Sequence, residues 1–184
     1  MAVLVEGISI IVRKDTIVKK IRGGWEKFLT LIPNRTLCFD DNLVRVGFMD
    51  PMGLEGFSNK LLTHGLIFFE KRNFVDYAVV DQREGPTANC DWLKFSHITF
   101  FDPPMTVAVC EYVCHGKEKK TPGDNSIQVA FPVDWNYESS LSKKYQFIPT
   151  EEMPTRMKLL RHENGLDVYL DMATGKEMYI GKTN

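Results

Sequence analysis

The densest group of reactive side chains in this chain lies between residues 81 and 92. The stretch Asp81-Gln82-Arg83-Glu84-Gly85-Pro86-Thr87-Ala88-Asn89-Cys90-Asp91-Trp92 places a thiol among four ionisable side chains and a tryptophan. That set could do nucleophilic chemistry. Cys90 would attack, a histidine would take its proton, and Asp81 or Asp91 would orient the imidazole. His97 or His115, both further along the chain, would be the base. No histidine lies inside the stretch, and no known cysteine-enzyme signature surrounds the thiol. The plainer reading is a connector: Gly85-Pro86 turns the chain, Asn89 and Asp91 cap backbone groups, and Trp92 anchors the next strand. Long polar loops also carry binding functions, with Arg83 available for charge recognition.

A second group, Cys110-x3-Cys114-His115, has the residue types of a metal site. In an extended strand, however, residues four apart are separated by about 13 Å. Two thiolates on one zinc ion each lie about 2.3 Å from it. Cys114 and His115 would also point to opposite faces. Buried small residues in a strand are therefore expected, with neither metal nor cofactor. The four histidines, His64, His97, His115 and His162, show no HxH, HxxxH or HExxH spacing. His64 falls in the last turn of a predicted helix, where an imidazolium complements the helix dipole.

A third group is aromatic. Phe131-Pro132-Val133-Asp134-Trp135-Asn136-Tyr137 sets three rings in an irregular segment, a composition suited to a ligand groove or a protein interface. The same rings could simply pin a long loop to a sheet. Lys117-Glu118-Lys119-Lys120 is a basic patch interrupted by an acid, and reads as a solvated loop that blunts a sheet edge. Asp40-Asp41 and Glu151-Glu152 are paired carboxylates in turn-like contexts. There is no P-loop, no G-x-G-x-x-G and no G-x-S-x-G.

Residues 3–13 are β-rich and almost continuously apolar from Ile8 to Val12, as for a strand buried on both faces. Asp15 is placed to cap a helix. Ile17, Ile21, Trp25, Phe28 and Ile32 follow at helical spacing. Gly23-Gly24 interrupts that stripe, which leaves either two short helices or one bent one. Strands over 35–39 and 43–49 flank the turn residues Asp40-Asp41-Asn42. Asp50-Pro51 opens a second helix, its buried face marked by Leu54, Phe57 and Leu61, and Gly65 ends it. Strands at 66–69 and 74–80 meet at Lys71-Arg72-Asn73. Long strands over 92–101 and 105–114, a short one at 127–131, irregular chain over 132–154, and a three-strand meander turning at Asn164-Gly165 and Thr174-Gly175 complete the reading.

The element order of the first part is that of a ferredoxin-like split βαβ arrangement. The expected fold is α+β: a ferredoxin-like βαββαβ-type sandwich over residues 1–84, followed by a mostly antiparallel, β-rich half over residues 85–184. The two could pack as one globular unit. RNA-recognition domains share this order, but their third-strand signature is matched here only by Gly47-Phe48, and the first strand has no aromatic residue.

Charge supports the rejection of nucleic acid. The 184 residues carry 23 basic and 24 acidic side chains. Residues 1–92 hold 12 of each, and residues 93–184 hold 11 and 12. No run approaches the roughly 18 apolar residues of a membrane span. The start, Met1-Ala2-Val3-Leu4-Val5-Glu6, lacks a basic leader. Four cysteines without an export signal read as free thiols in a reducing cytoplasm.

The expected function is that of a non-enzymatic, cytoplasmic protein that binds a partner protein or a small ligand. Arg83, Trp92, Trp135 and Tyr137 are the expected binding residues. The alternative is a small hydrolase or transferase using Cys90 with Asp81 or Asp91 and His97 or His115. A two-fold homodimer is compatible with either.

Overall fold

The computed structural model describes residues 1–101, 104–113, 128–144, 157–163, 166–172 and 177–181. Contacts divide the chain into two units, Met1–Tyr145 and Gln146–Asn184.

The first apolar run is two strands rather than one. It breaks at Gly7, whose φ of +60° lies in the left-handed region open to glycine. A Cβ there would lie 2.7 Å from the Phe48 carbonyl oxygen. The products are β1 (Ala2–Val5) and β2 (Ile8–Arg13), which enter different sheets.

The glycine pair likewise yields two helices, α1 (Lys14–Lys20) and α2 (Gly24–Leu29), with Gly23 at φ +97° and Gly24 at +58°. Asp15 is not the cap. It sits in the first turn and pairs with Lys19 at 2.8 Å and Arg13 at 3.2 Å, while Arg13 holds the cap position without a side-chain bond.

Strands β3 (Cys38–Phe39) and β4 (Leu43–Phe48) form the expected hairpin. Asp40 builds its turn, one carboxylate oxygen accepting from the amides of Asn42 and Leu43, each at 2.7 Å. The strand expected over 35–39 is confined to its last two residues. Upstream, side chains replace the ladder: Asn34 Nδ2 donates to the Gly47 carbonyl at 2.8 Å, and Thr36 Oγ1 accepts from the Gly47 amide at 2.7 Å.

Helix α3 (Pro51–Thr63) begins as predicted, with the Asp50 side chain accepting from the Gly53 amide at 2.7 Å. It ends before Gly65, at φ +89°. Next come β5 (Phe69–Glu70) and β6 (Asn73–Phe74), joined through Lys71 and Arg72 at positive φ, then β7 (Tyr77–Asp81) and β8 (Gly85–Pro86). Two long antiparallel strands, β9 (Leu93–Phe101) and β10 (Pro104–Tyr112), precede β11 (Val129–Ala130). Within the stretch expected to be irregular, the chain forms a 3-10 turn at Tyr137–Ser139 and the short helix α4 (Leu141–Lys144).

Besides the two-stranded β5-β6 sheet, these elements make two larger sheets among the described residues of the first unit. One is antiparallel with order β3-β4-β2-β7-β8, and the other has order β11-β1-β10-β9. Helices bury one face of the five-stranded sheet. There Ile10, Val12, Val44 and Val46 form a single core with Ile17, Phe28, Phe57 and Leu61. Alternation sends Ser9, Arg45 and Gly47 to the opposite face, where β1 approaches β3 and β4. Strand β1 pairs with β10 from Ala2↔Glu111 to Val5↔Ala108, so chain from both sides of the 82–91 stretch shares a sheet.

In the second unit, β12 (Met157–Glu163), β13 (Leu166–Asp171) and β14 (Glu177–Gly181) form the predicted antiparallel meander. Its turn residues Asn164-Gly165 and Thr174-Gly175 lie outside the described residues. The α+β class therefore holds. No helix among the described residues is long and apolar enough to cross a membrane.

Candidate functional site

At the end of β4, the segment 132–141 closes over the five-stranded sheet and leaves a cleft of about 470 Å³. Thr36, Arg45 and Gly47 contribute to it from the hairpin side, and Pro132, Trp135, Ser140 and Leu141 from the overlying segment. The volume lies within the range of small-molecule sites.

The overlying segment is fastened by local caps and two distant residues. Asn136 Oδ1 accepts from the Glu138 amide at 2.8 Å, and Ser140 Oγ accepts from the Lys143 amide at 3.1 Å, which starts α4. Glu6, at the corner between β1 and β2, accepts from the Ser142 amide at 3.0 Å and from Ser142 Oγ at 2.8 Å. Gln82 accepts from the Gly7 amide at 2.8 Å and donates to Ser142 Oγ at 3.3 Å. The stretch 81–92 thus serves the cleft through Gln82.

Arg45 forms the polar floor and is only 2% exposed. Its Nε donates to Ser9 Oγ at 2.9 Å, Nη1 to the Thr36 carbonyl at 3.1 Å and Nη2 to the Glu6 carbonyl at 2.6 Å. The guanidinium lies over Gly47: a Cβ there would overlap Nη2. Burial pulls the Arg45 pKa below its ordinary value, against the favourable influence of Cys38 and Glu6. Burying such a charge costs several kcal/mol, partly offset by three charge-assisted hydrogen bonds of about 1.5–3 kcal/mol each.

Trp135 stacks on Phe131 with ring centroids 4.4 Å apart and lies 6.2 Å from the Tyr137 ring. Its indole Nε1 is buried without an acceptor among the described residues. Arg83 and Asp81 line a neighbouring hollow of about 270 Å³, which shares Phe48, Met49 and Leu141 with the cleft. Arg83 and Trp135, drawn from separate stretches of sequence, therefore flank adjoining spaces. Trp92 lies elsewhere, 7% exposed, its indole N–H donating to the Phe74 carbonyl at 3.0 Å.

The residues of the cysteine-enzyme alternative that are described have the following settings. Burial pushes the Cys90 thiol up to about 12, with Asp91 adding to the shift and the amides of Trp92 and Leu93 opposing it. Asp81 accepts from the amides of Arg83 at 2.7 Å and Glu84 at 3.1 Å, a turn cap. Asp91 accepts from Asn73 Nδ2 at 3.4 Å. His97 places Nε2 3.3 Å from the Gln82 carbonyl, and burial lowers its pKa. His115, Cys114 and the 117–120 basic loop lie outside the described residues. Cys110 is a buried free thiol.

Sequence reasoning missed Arg45, Gly47, Thr36 and Glu6. One signal was present: a lone arginine two residues before a glycine, within the otherwise apolar strand Leu43-Val44-Arg45-Val46-Gly47-Phe48. The chain matches no protein-family model, no curated protein and no solved structure.

Proposed function

We propose that this protein is a non-enzymatic binding protein and that the cleft between the β3–β4 hairpin and the 132–141 segment holds a small-molecule ligand. The observation that carries this reading is the concave lining itself. The aromatic Trp135 and a deeply buried cation share a hollow of about 470 Å³ with hydroxyl-bearing Thr36 and Ser140. Small ligands occupy such hollows, with a few polar groups fixing their orientation. A flat protein interface would not need this concavity.

The hydrolase reading draws no support from Cys90, because a thiol held near 12 is the opposite of an activated nucleophile. A reducing, cytoplasmic setting is supported by Cys38, Cys90 and Cys110 as free thiols. The ferredoxin-like reading of residues 1–84 is supported by strand order. Numbered along the chain as β2, β3, β4 and β7, the antiparallel sheet runs second, third, first, fourth, with helices after the first and third.

The test is a backbone-amide NMR screen of a small-molecule fragment library. Saturable shifts are expected at Thr36, Gly47 and Ser140. A library that moves none of these amides, in a protein whose spectrum is otherwise that of a folded chain, overturns the reading.

A further inference from the structure

Arg45 distinguishes this cleft from an ordinary apolar hollow. A guanidinium carries five N–H groups, and the three hydrogen bonds described above all go to uncharged oxygens. No ion pair to Arg45 is present among the described residues. The acid nearest in the chain fold, Glu6, spends one carboxylate oxygen on Ser142. The Glu6 carboxylate favours the Arg45 charge from beyond ion-pair distance, whereas buried charges are ordinarily paired directly. The same lining includes Trp135, whose indole N–H is buried without an acceptor among the described residues. Neither the guanidinium nor the indole N–H has an anionic hydrogen-bond acceptor among the described residues.

Charge and shape narrow its class. The lining contains two guanidiniums, Arg35 and Arg45, and two carboxylates, Glu6 and Asp134. Formal charge is therefore balanced, and a dianion would meet two like charges in the same space. A planar carboxylate matches the guanidinium fork and brings a single charge. Phe48, Met49, Pro132 and Leu141 offer apolar walls to the rest of the molecule. We propose that the cleft binds a small monocarboxylic acid with an apolar body, its carboxylate on Arg45 and its body against Trp135. This rests on the cleft being the ligand site.

The probes are benzoate, phenylacetate, indole-3-acetate and hexanoate, each paired with its neutral amide, and phenyl phosphate as a dianion. The readout is the Trp135 indole N–H resonance, assigned by its loss in Trp135→Phe, together with the Thr36 and Gly47 amides. At least one acid is expected to bind at least tenfold more tightly than its amide and than phenyl phosphate, and Arg45→Met is expected to erase that preference. Because Arg45→Met could unfold the chain, the acid–amide comparison in the unaltered protein decides the matter on its own. Acids and amides binding equally at these resonances overturn the carboxylate proposal and leave the cleft reading standing. Phenyl phosphate outranking every acid also overturns it, in favour of a phosphate ligand. If no probe moves these resonances, the carboxylate proposal fails, and the fragment screen then decides whether the cleft reading fails with it.

Discussion

The two faces of the five-stranded sheet are both buried, but only one of them also buries a charge. The helix-covered face is hydrocarbon: Ile10, Val12, Val44 and Val46 meet Phe28, Phe57 and Leu61. The face toward β1 carries Ser9 and Arg45, both buried, with Gly47 beneath the guanidinium. Dispersion and water exclusion hold the first together. The second combines buried Ile11, Leu43, Ala78 and Val80 with hydrogen bonds of defined direction around Arg45, and those bonds tolerate fewer arrangements. The difference separates an apolar face from one whose burial also depends on satisfying a charge.

The comparison is sharpened most by Phe57→Ala. Phe57 is 1% exposed and its ring centroid lies 6.3 Å from that of Phe28 and 5.8 Å from that of Phe48. Truncation should cost about 3–5 kcal/mol, the usual range for a buried phenylalanine. Urea denaturation would read it. A loss below 1 kcal/mol would mean that the helix face is not the stabilising one.

Gly47→Ala should cost less, about 1–3 kcal/mol, as an overpacking change. Its mechanism is distinctive, because the new methyl would overlap the Arg45 guanidinium. In a double-mutant cycle with Arg45→Met, the two losses should fall short of additivity by at least about 0.5 kcal/mol. Additive losses would show that the guanidinium does not require the glycine.

The smallest effect is expected in alkali. Burial raises the Cys38 thiol from 9.0 to about 11, Arg45 only partly opposing it. Between those values the unfolded chain gives up this proton and the folded chain keeps it. The unfolded state then binds fewer protons, so stability falls as pH rises through this window. Cys38→Ala should flatten the decline between pH 9 and 10 in denaturant midpoints. An unchanged slope would place the thiol's ionisation elsewhere.

The helix face was legible in the sequence and the cleft was not, for a physical reason. Periodicity reports burial, so Phe57 and Leu61 announced themselves by spacing, and Asp50 announced the start of α3 because a cap acts within one turn. The β9–β10 pair and the meander were legible from local alternation and turn residues in the same way. Arg45 takes its partners from residues 6, 9 and 36, and no local pattern encodes those meetings. The break at Gly7 was hidden for a related reason. Its need for glycine comes from the Phe48 carbonyl, forty-one positions away. Trp135 was found by aromatic density, whereas its place in the same cleft as Arg45 was not.

The fastening of Ser142 by Glu6 spans 136 positions. Chains are made from the N-terminus. The hairpin bearing Arg45 therefore leaves the ribosome long before the segment that closes over it. The hydrogen-bond partners of Arg45 at residues 6, 9 and 36 precede it in the chain, whereas the cleft wall of residues 132–141 is made about ninety positions later. The floor of the cleft and its covering segment are thus products of well-separated stages of synthesis.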